Sequence, residues 1–256
     1  MRKGITSMKR LLCVFILITA IFVLAACSKP VVENTVEPTP TTTPEPKPEA
    51  IVFNDSVLES KIREAVNKPE GEVTVIDAEA VKSLNLSVEW QPQMPEETQI
   101  KDISALKYFK NLKELDLTFN LISDISPLAE LTGLEILRLG GNQIKEISPL
   151  SKLINMGELQ LWGSREINDI SPLAGMVHLY FINMGENQIS DISVLANMKE
   201  LSSIFINDNQ ITDISPLSGL RLEGLKLNGN PITDYSPIKD IYPNLIEKDF
   251  EIILAD

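Results

Sequence analysis

Residues 112–128 read LKELDLTFNLISDISPL, and residues 134–150 read LEILRLGGNQIKEISPL, which repeats the same spacing of leucine, isoleucine and asparagine 22 positions later. The pattern continues, with small irregularities, to residue 238. Self-similarity at a period of about 20–50 residues is typical of solenoids, because one unit cannot bury its apolar face alone and stacked units share a core. The repeat therefore predicts a coil of chain in which each turn packs on the one before it.

Each unit contains a strand signal followed by a helical signal. Leu115 and Leu117 alternate with polar residues, as in a short strand that buries one face. After Asn120, Ile122 and Ile125 recur at helical spacing. The Ser-Pro pair that follows fits a helix start, since a serine hydroxyl can cap free N–H groups and proline lacks an N–H there. We predict an α/β solenoid with a parallel sheet on its concave face and short helical or 3₁₀ segments on its convex face.

The strand signal occurs seven times, which predicts about seven coils over residues 84–240 and a sheet roughly 30 Å across. The inward-pointing pairs are Leu84/Leu86, Leu115/Leu117, Leu137/Leu139, Leu159/Leu161, Ile182/Met184, Ile204/Ile206 and Leu225/Leu227.

An asparagine follows the strand in most coils, and buried in a turn its amide can satisfy backbone groups of its own and the adjacent coil. We predict a structural ladder formed by Asn120, Asn142, Asn187, Asn209 and Asn230. The third unit has Ser164 at this position and one extra residue before Ile167, and the last interval is one residue short. Local distortions are expected at both places.

The units resemble bacterial leucine-rich repeats of the internalin type, with the sequence NQITDISPL at residues 209–217. The resemblance covers residues 51–256. It implies a small helical cap before the first coil and a concave face that binds partner proteins. The fold prediction does not depend on it, because the repeat alone indicates a solenoid.

The first 26 residues have the form of a secretory signal, with four basic residues before an apolar run that ends Leu-Ala-Ala-Cys. This ending resembles the lipobox of bacterial lipoproteins, which implies cleavage before Cys27 and diacylation of that cysteine. The alternative is an uncleaved signal anchor, but 16 apolar residues are short for a span that needs about 20. We expect an extracytoplasmic protein held to the membrane by diacylglyceryl-Cys27.

The segments on either side of the repeats have their own patterns. Residues 27–50 form a Pro/Thr-rich linker without core residues. Residues 51–83 are predicted as an N-terminal helical cap, with a capping box at Ser56-x-x-Glu59 and a strand at Val73 and Val75. Residues 88–99 enlarge the first coil into a loop without an assigned role, and residues 241–256 are expected to close the C-terminal edge.

The formal charge of −13 becomes −17 once the four bases of the signal are removed. Nucleic acid is therefore not an expected partner, because its phosphates would be repelled. The charge also opposes binding to anionic lipid, so stable membrane attachment requires two acyl chains at Cys27. We expect a monomer that binds a protein or a cell-envelope polymer.

Few residues suggest catalysis or metal binding. The single histidine, His178, offers neither a metal cluster nor a nucleophile pair, and no phosphate-binding loop is present. We predict no enzyme activity and no cofactor. An acidic column remains, which is open to two readings: weak calcium sites, or acceptors of nearby backbone N–H groups. Its members are Asp102, Asp124, Glu146, Asp169, Asp191, Asp213 and Asp234.

Large apolar residues also occur at strand positions that should face water on the concave side. Ile136, Trp162, Phe181 and Phe205 lie on consecutive coils and are predicted to form one patch. Its polar neighbours are Arg138, Glu158 and Gln160. An apolar patch with aromatic and arginine residues indicates a protein-binding surface. Two alternatives remain: scattered exposed apolar residues are normal, or Trp162 packs into the irregular third coil.

The sequence thus predicts a lipid-anchored recognition module that binds a partner through its concave face. The alternative is a structural or regulatory scaffold subunit of a cell-envelope complex.

Overall fold

The computed structural model describes residues 47–252, which contain one parallel sheet of eight short strands arranged in chain order. The predicted signal, Cys27 and most of the linker lie outside the described residues, as do residues 253–256. The strands are β1 Ser83–Asn85, β2 Glu114–Asp116, β3 Ile136–Arg138, β4 Glu158–Gln160, β5 Phe181–Asn183, β6 Ser203–Phe205, β7 Gly224–Lys226 and β8 Glu247–Lys248.

The strand register stacks equivalent residues of successive repeats. Leu115 pairs with Leu84 on one side and Leu137 on the other, and the same register continues through Leu159 to Leu225. The sheet does not close, since its first and last strands are not neighbours. These features confirm the predicted leucine-rich solenoid. The repeat pattern did not predict β8, which lies in the segment assigned to the C-terminal cap.

Short 3₁₀ helices return the chain on the convex side. They span Ser104–Tyr108, Ser126–Leu128, Ser148–Lys152, Ser171–Gly175, Ser193–Asn197, Ser215–Leu217 and Ser236–Ile238. The serine hydroxyls do not cap these helices as predicted. Instead the aspartate two residues earlier accepts the serine backbone N–H, as Asp124 does from Ser126 at 2.8 Å.

The same contact accounts for the acidic column. Six of its aspartates accept a serine N–H in this way. At Asp169 the backbone bond from Ser171 lowers the pKa of the carboxyl, although the neighbouring Asp191 acts in the opposite direction. The column therefore follows the backbone-acceptor reading, and residues 47–252 contain no acidic or His/Cys cluster arranged for a metal ion.

The asparagine positions hold the coils together through buried amides. Asn142 accepts the N–H of Ile122 in the preceding coil at 3.0 Å and donates to the carbonyl oxygens of Leu117 and Leu139. Asn120, Asn209 and Asn230 make the same three kinds of bond. Each amide therefore satisfies a turn of its own coil and of the preceding coil.

The ladder is interrupted in the third unit. Ser164 is buried there, and its Oγ has no hydrogen-bond partner within the described residues. Asn187 of the next coil still donates to Leu161 and Met184, but its Oδ1 accepts no hydrogen bond from residues 47–252. The serine side chain is shorter than asparagine, and the extra residue shifts the N–H that Asn187 would otherwise meet.

The N-terminal cap consists of two helices, α1 Ser56–Ala65 and α2 Val75–Glu79. The capping residue of α1 is Asp55, one position before the predicted Ser56. The predicted strand at Val73 and Val75 is also wrong: it is reduced to a single bridge between Ala50 and Thr74, and Val75 begins α2. The capping box is present, but at Thr74 and Asp77 of α2. No helix within residues 47–252 is both long and apolar enough to span a bilayer.

Asp55 also ties the cap to the repeats. Its Oδ1 accepts Val57 and Leu58 N–H at the start of α1, and its Oδ2 accepts the N–H groups of Lys101 and Asp102 in the first coil. Partial burial raises the pKa of the carboxyl, but the four backbone bonds outweigh it, and the net pKa is lowered. One carboxylate therefore joins two elements 46 residues apart.

We expect Asn142→Ala to lower the free energy of unfolding by about 2–4 kcal/mol, because buried backbone groups in two coils lose their partner. Urea denaturation measures the change. Asn155→Ala is the matched control: Asn155 makes one exposed bond to Thr132, and its loss should cost about 1 kcal/mol or less. Equal losses for both variants would contradict the structural role of the ladder.

Asp55→Asn keeps an amide oxygen to cap α1, but removes the second acceptor for Lys101 and Asp102. We expect a loss of about 1–2 kcal/mol at neutral pH. Because the folded pKa of Asp55 is lowered, the difference between wild type and variant should be complete above about pH 5 and disappear as pH falls through that lowered pKa. The check is to measure the denaturation midpoints of wild type and variant from about pH 2 to about pH 7, which spans the titration range of an aspartate. A difference between the two midpoints that stays constant over this range would show that the carboxylate is not responsible.

Candidate functional site

The concave face presents the residues that flank the buried leucine of each strand. In β2, β3 and β4 the central leucine is fully buried and its two neighbours are half-buried. The predicted candidates therefore do lie on this face. Their side chains, however, form two clusters with different chemistry.

The first cluster is a hydrogen-bonded chain across β2, β3 and β4. Arg138 donates to Glu114 at 2.8 Å and makes a two-point contact with Glu158 at 2.8 and 3.1 Å. Gln160 donates to Glu158, and Trp162 Nε1 donates to Gln160 at 3.3 Å. The bond to Glu158 is the main cause that raises the pKa of the Arg138 guanidinium, so the positive charge is retained. These polar groups are held in place before any partner binds.

The Trp162 indole lies on a glycine of the preceding coil. A Cβ placed on Gly140 would be 2.2 Å from Trp162 Cε2, so only glycine leaves room for the ring. Phe119 meets the indole edge to face, with centroids 5.2 Å apart. Ile136 sits in β3 between Glu114 and Glu158 of the neighbouring strands. We define the Trp162 cluster as Glu114, Phe119, Ile136, Arg138, Glu158, Gln160 and Trp162.

The second cluster begins on β5, the strand next to β4. Phe181 packs edge to face on Phe205 at 5.2 Å, and the Lys226 ammonium lies 4.1 Å from the Phe205 ring centroid. Lys226 also pairs with Glu247 of β8. We define the Phe181 cluster as Phe181, Phe205, Lys226 and Glu247.

One expectation about the patch needs correction. Phe205 is only 9% exposed, because Phe181 and Lys226 cover it, so it supports the surface instead of contacting solvent. Arg138 and Glu158, the expected polar neighbours of the patch, are bound to each other. Ile136, Trp162 and Phe181 keep partly exposed side chains.

Sequence reasoning did not identify Phe119 or Lys226 as members of the site. Phe119 precedes the ladder asparagine and has a φ of +59°, a left-handed conformation that is rare for a bulky residue. The sequence signal was the Gly140–Gly141 pair one coil later, which makes room for two aromatic rings. Lys226 was not singled out, because its contact with Phe205 depends on the register of β6 and β7.

Comparison with known proteins agrees with this architecture. The family model "Leucine Rich repeats (2 copies)" matches residues 96–130, 132–175 and 178–219. The crystal structure of internalin C2 from Listeria monocytogenes is 31% identical in sequence, with a TM-score of 0.61, and the match covers 79% of this chain and 96% of that one. This chain belongs to the internalin family of leucine-rich repeat proteins.

Other solved structures support the family fold. The internalin inlF of Listeria monocytogenes is 28% identical, with a TM-score of 0.51 and 80% of each chain covered. A leucine-rich repeat protein of Leptospira interrogans is 22% identical, with a TM-score of 0.57, over 69% of this internalin-family chain and 44% of its own. This last likeness concerns the fold alone. No curated protein sequence matches the chain.

Gly140→Ala tests whether the Trp162 indole packs against Gly140. The added Cβ overlaps the ring, so we expect Trp162 to move, its fluorescence emission and near-UV circular dichroism to change, and the free energy of unfolding to fall by about 1–3 kcal/mol. At Gly133 a Cβ meets nothing closer than 3.4 Å. Gly133→Ala should therefore leave both spectra unchanged. Unchanged spectra for Gly140→Ala would show that the Trp162 indole does not pack against Gly140.

Proposed function

We propose that this internalin-family chain is a recognition module that binds a partner protein across its concave face, without catalysis. The observation that carries the proposal is the Trp162 cluster: a partly exposed apolar and aromatic surface whose polar members are already bonded to one another. Leucine-rich repeat domains are typically protein-binding. The partner's identity is not implied by the fold.

The bonded state of Arg138 favours binding in a specific way. A free arginine must be ordered and desolvated when a partner arrives, which costs affinity. Here Glu114 and Glu158 already hold the guanidinium in place through ion pairs at 2.8 Å. The apolar surfaces of Ile136, Trp162 and Phe181 can then be buried at a lower entropic cost, with aromatic residues acting as anchors.

We further propose that the domain is displayed outside the cell on a lipid anchor at Cys27. The basic and apolar leader, the Leu-Ala-Ala-Cys ending and the Pro/Thr-rich linker of residues 27–50 support this arrangement. In this proposal the acyl chains at Cys27 anchor the domain in the membrane, and the concave face remains available to the partner.

The test is site-specific photocrosslinking on intact cells, with full-length chain that carries a photoreactive amino acid at Ile136. We expect a defined protein adduct, and at least a tenfold loss of adduct in Phe181→Ala, as for an interface anchor worth about 1.4 kcal/mol or more. Mass spectrometry of the adduct identifies the partner.

Two controls accompany the experiment. Tyr180 immediately precedes β5 and is 46% exposed, so Tyr180→Ala removes an exposed aromatic ring that belongs to neither concave cluster. Its adduct yield should equal that of wild type. A photoreactive residue at Ile154, which is 52% exposed outside the concave strands, should capture little. An equal yield from Ile154, or no loss in a folded Phe181→Ala variant, would refute concave-face recognition.

A further inference from the structure

A groove of about 780 Å³ lies beside the concave face, between the loop of residues 88–99 and the turns that follow β2, β3 and β4. Its volume is in the range of about 300–1,000 Å³ that ligand sites usually have. Trp90 and Met94 contribute from the loop, and Phe119, Gly141 and Trp162 from the turns. The loop that had no assigned role therefore forms one wall of a concave site.

Glycines at the bottom of the groove let the backbone lie close to neighbouring side chains. Gly141 and Gly163 both have positive φ, and a Cβ at Gly141 would come within 2.6 Å of Phe119 Cδ1. Phe119 and Gln93 have positive φ as well and also line the groove. The left-handed residues at 119, 141 and 163 belong to the repeat, since Asp208 and Gly229 have the same conformation in later coils, whereas Gln93 adopts it within the 88–99 loop.

Aromatic rings form the apolar part of the lining. The chain has only two tryptophans, Trp90 and Trp162, and both line the groove. Trp90 is 60% exposed, which is high for the largest side chain and leaves a ring surface unused by the fold. The Trp162 N–H is already donated to Gln160, so this indole offers a ligand its ring surface and not a hydrogen bond.

The polar part of the lining consists mainly of neutral amides. Gln91, Gln93 and Gln143 line the groove, and their side chains make no hydrogen bond with any residue of the described chain. Ser164 also borders the groove, on the side formed by the turns, but its Oγ is buried and offers no bond at the surface. Each amide offers both donors and acceptors.

The charge of the lining disfavours an anionic ligand. Arg165 is its one cation, and Glu166 and Glu186 are its acids. This balance provides no cluster of bases for a phosphate or sulfate group. The ligand that fits combines apolar faces with many uncharged donors and acceptors.

We propose that this groove binds a neutral oligosaccharide. The C–H face of a pyranose ring can stack on an exposed indole, and its hydroxyl groups can bond to the free amides of Gln91, Gln93 and Gln143. A proline-rich peptide fits less well, since Phe119 and Trp162 meet at 79° and do not form a parallel-walled slot for proline rings. This site goes beyond the proposed partner-protein site and shares only Trp162 and Phe119 with it.

The two tryptophans make the groove directly observable, because all indole fluorescence of the chain comes from its walls. Full-length chain is titrated with four neutral tetrasaccharides: chitotetraose, cellotetraose, maltotetraose and mannotetraose. We expect a saturable change in emission with at least one of them, and isothermal calorimetry gives the same affinity independently of the fluorophores. A heparin-derived tetrasaccharide and a proline-rich peptide serve as competing ligand classes.

Trp90→Ala should weaken calorimetric binding at least tenfold without changing the thermal midpoint, because the ring is largely exposed. Tyr180→Ala, which removes another exposed ring outside the groove, should bind as wild type. The proposal is overturned if none of the neutral sugars binds, if only the anionic sugar or the peptide binds, or if folded Trp90→Ala keeps full affinity. Photocrosslinking at Ile136 is read separately, so either proposal can fail while the other holds.

Discussion

The solenoid depends on the way its tight turns satisfy their backbone while buried. Each coil leaves the sheet through a left-handed residue directly before the ladder position, such as Phe119 or Gly141, whose own N–H still bonds to a carbonyl of the next coil. The ladder asparagine then supplies hydrogen-bond partners for further backbone groups of this corner. An asparagine amide has one acceptor and two donors in a compact group. Asn142 uses them on Ile122, Leu117 and Leu139, and so links two coils with one side chain. The leucine core can continue from coil to coil because the asparagine gives the buried backbone groups of each corner their hydrogen-bond partners.

The same requirement reappears at the two ends of the stack, where no further coil supplies partners. At the N-terminal end Asp55 accepts N–H groups of Lys101 and Asp102. At the C-terminal end Asp249 accepts those of Leu227 and Asn228, next to the short β8. A carboxylate that accepts two backbone N–H groups thus takes the place of a neighbouring coil at each end. Phe250 then covers the last apolar layer by stacking on Tyr235 at 5.6 Å.

The periodic part of the structure could be predicted from the sequence because the repeat itself encodes it. The spacing of Leu115, Leu117 and Asn120 fixes which residues are buried, and therefore which strands pair and in what register. The candidate site could be predicted only as a set of positions. Whether Phe205 is exposed depends on how Phe181 and Lys226 meet above it, and whether Arg138 is free depends on Glu114 and Glu158 of other strands. These are contacts between rotamers on neighbouring coils, which a pattern of residue types does not determine.

The third coil shows how a structural defect and a surface feature can have one origin. Ser164 in place of asparagine, together with the extra residue before Ile167, leaves two buried polar atoms without partners within the described residues, a cost that most of the stack avoids. The extra residue before Ile167 also lies beside the turn where Trp162 and Gly163 line the groove. The facing glycines at 140 and 141 belong to the preceding coil and make room for the rings of Trp162 and Phe119. Stable proteins tend to break their own local rules where function requires it. The broken ladder and both tryptophans therefore meet at one edge of the sheet, which is the edge that lines the groove proposed as a ligand site.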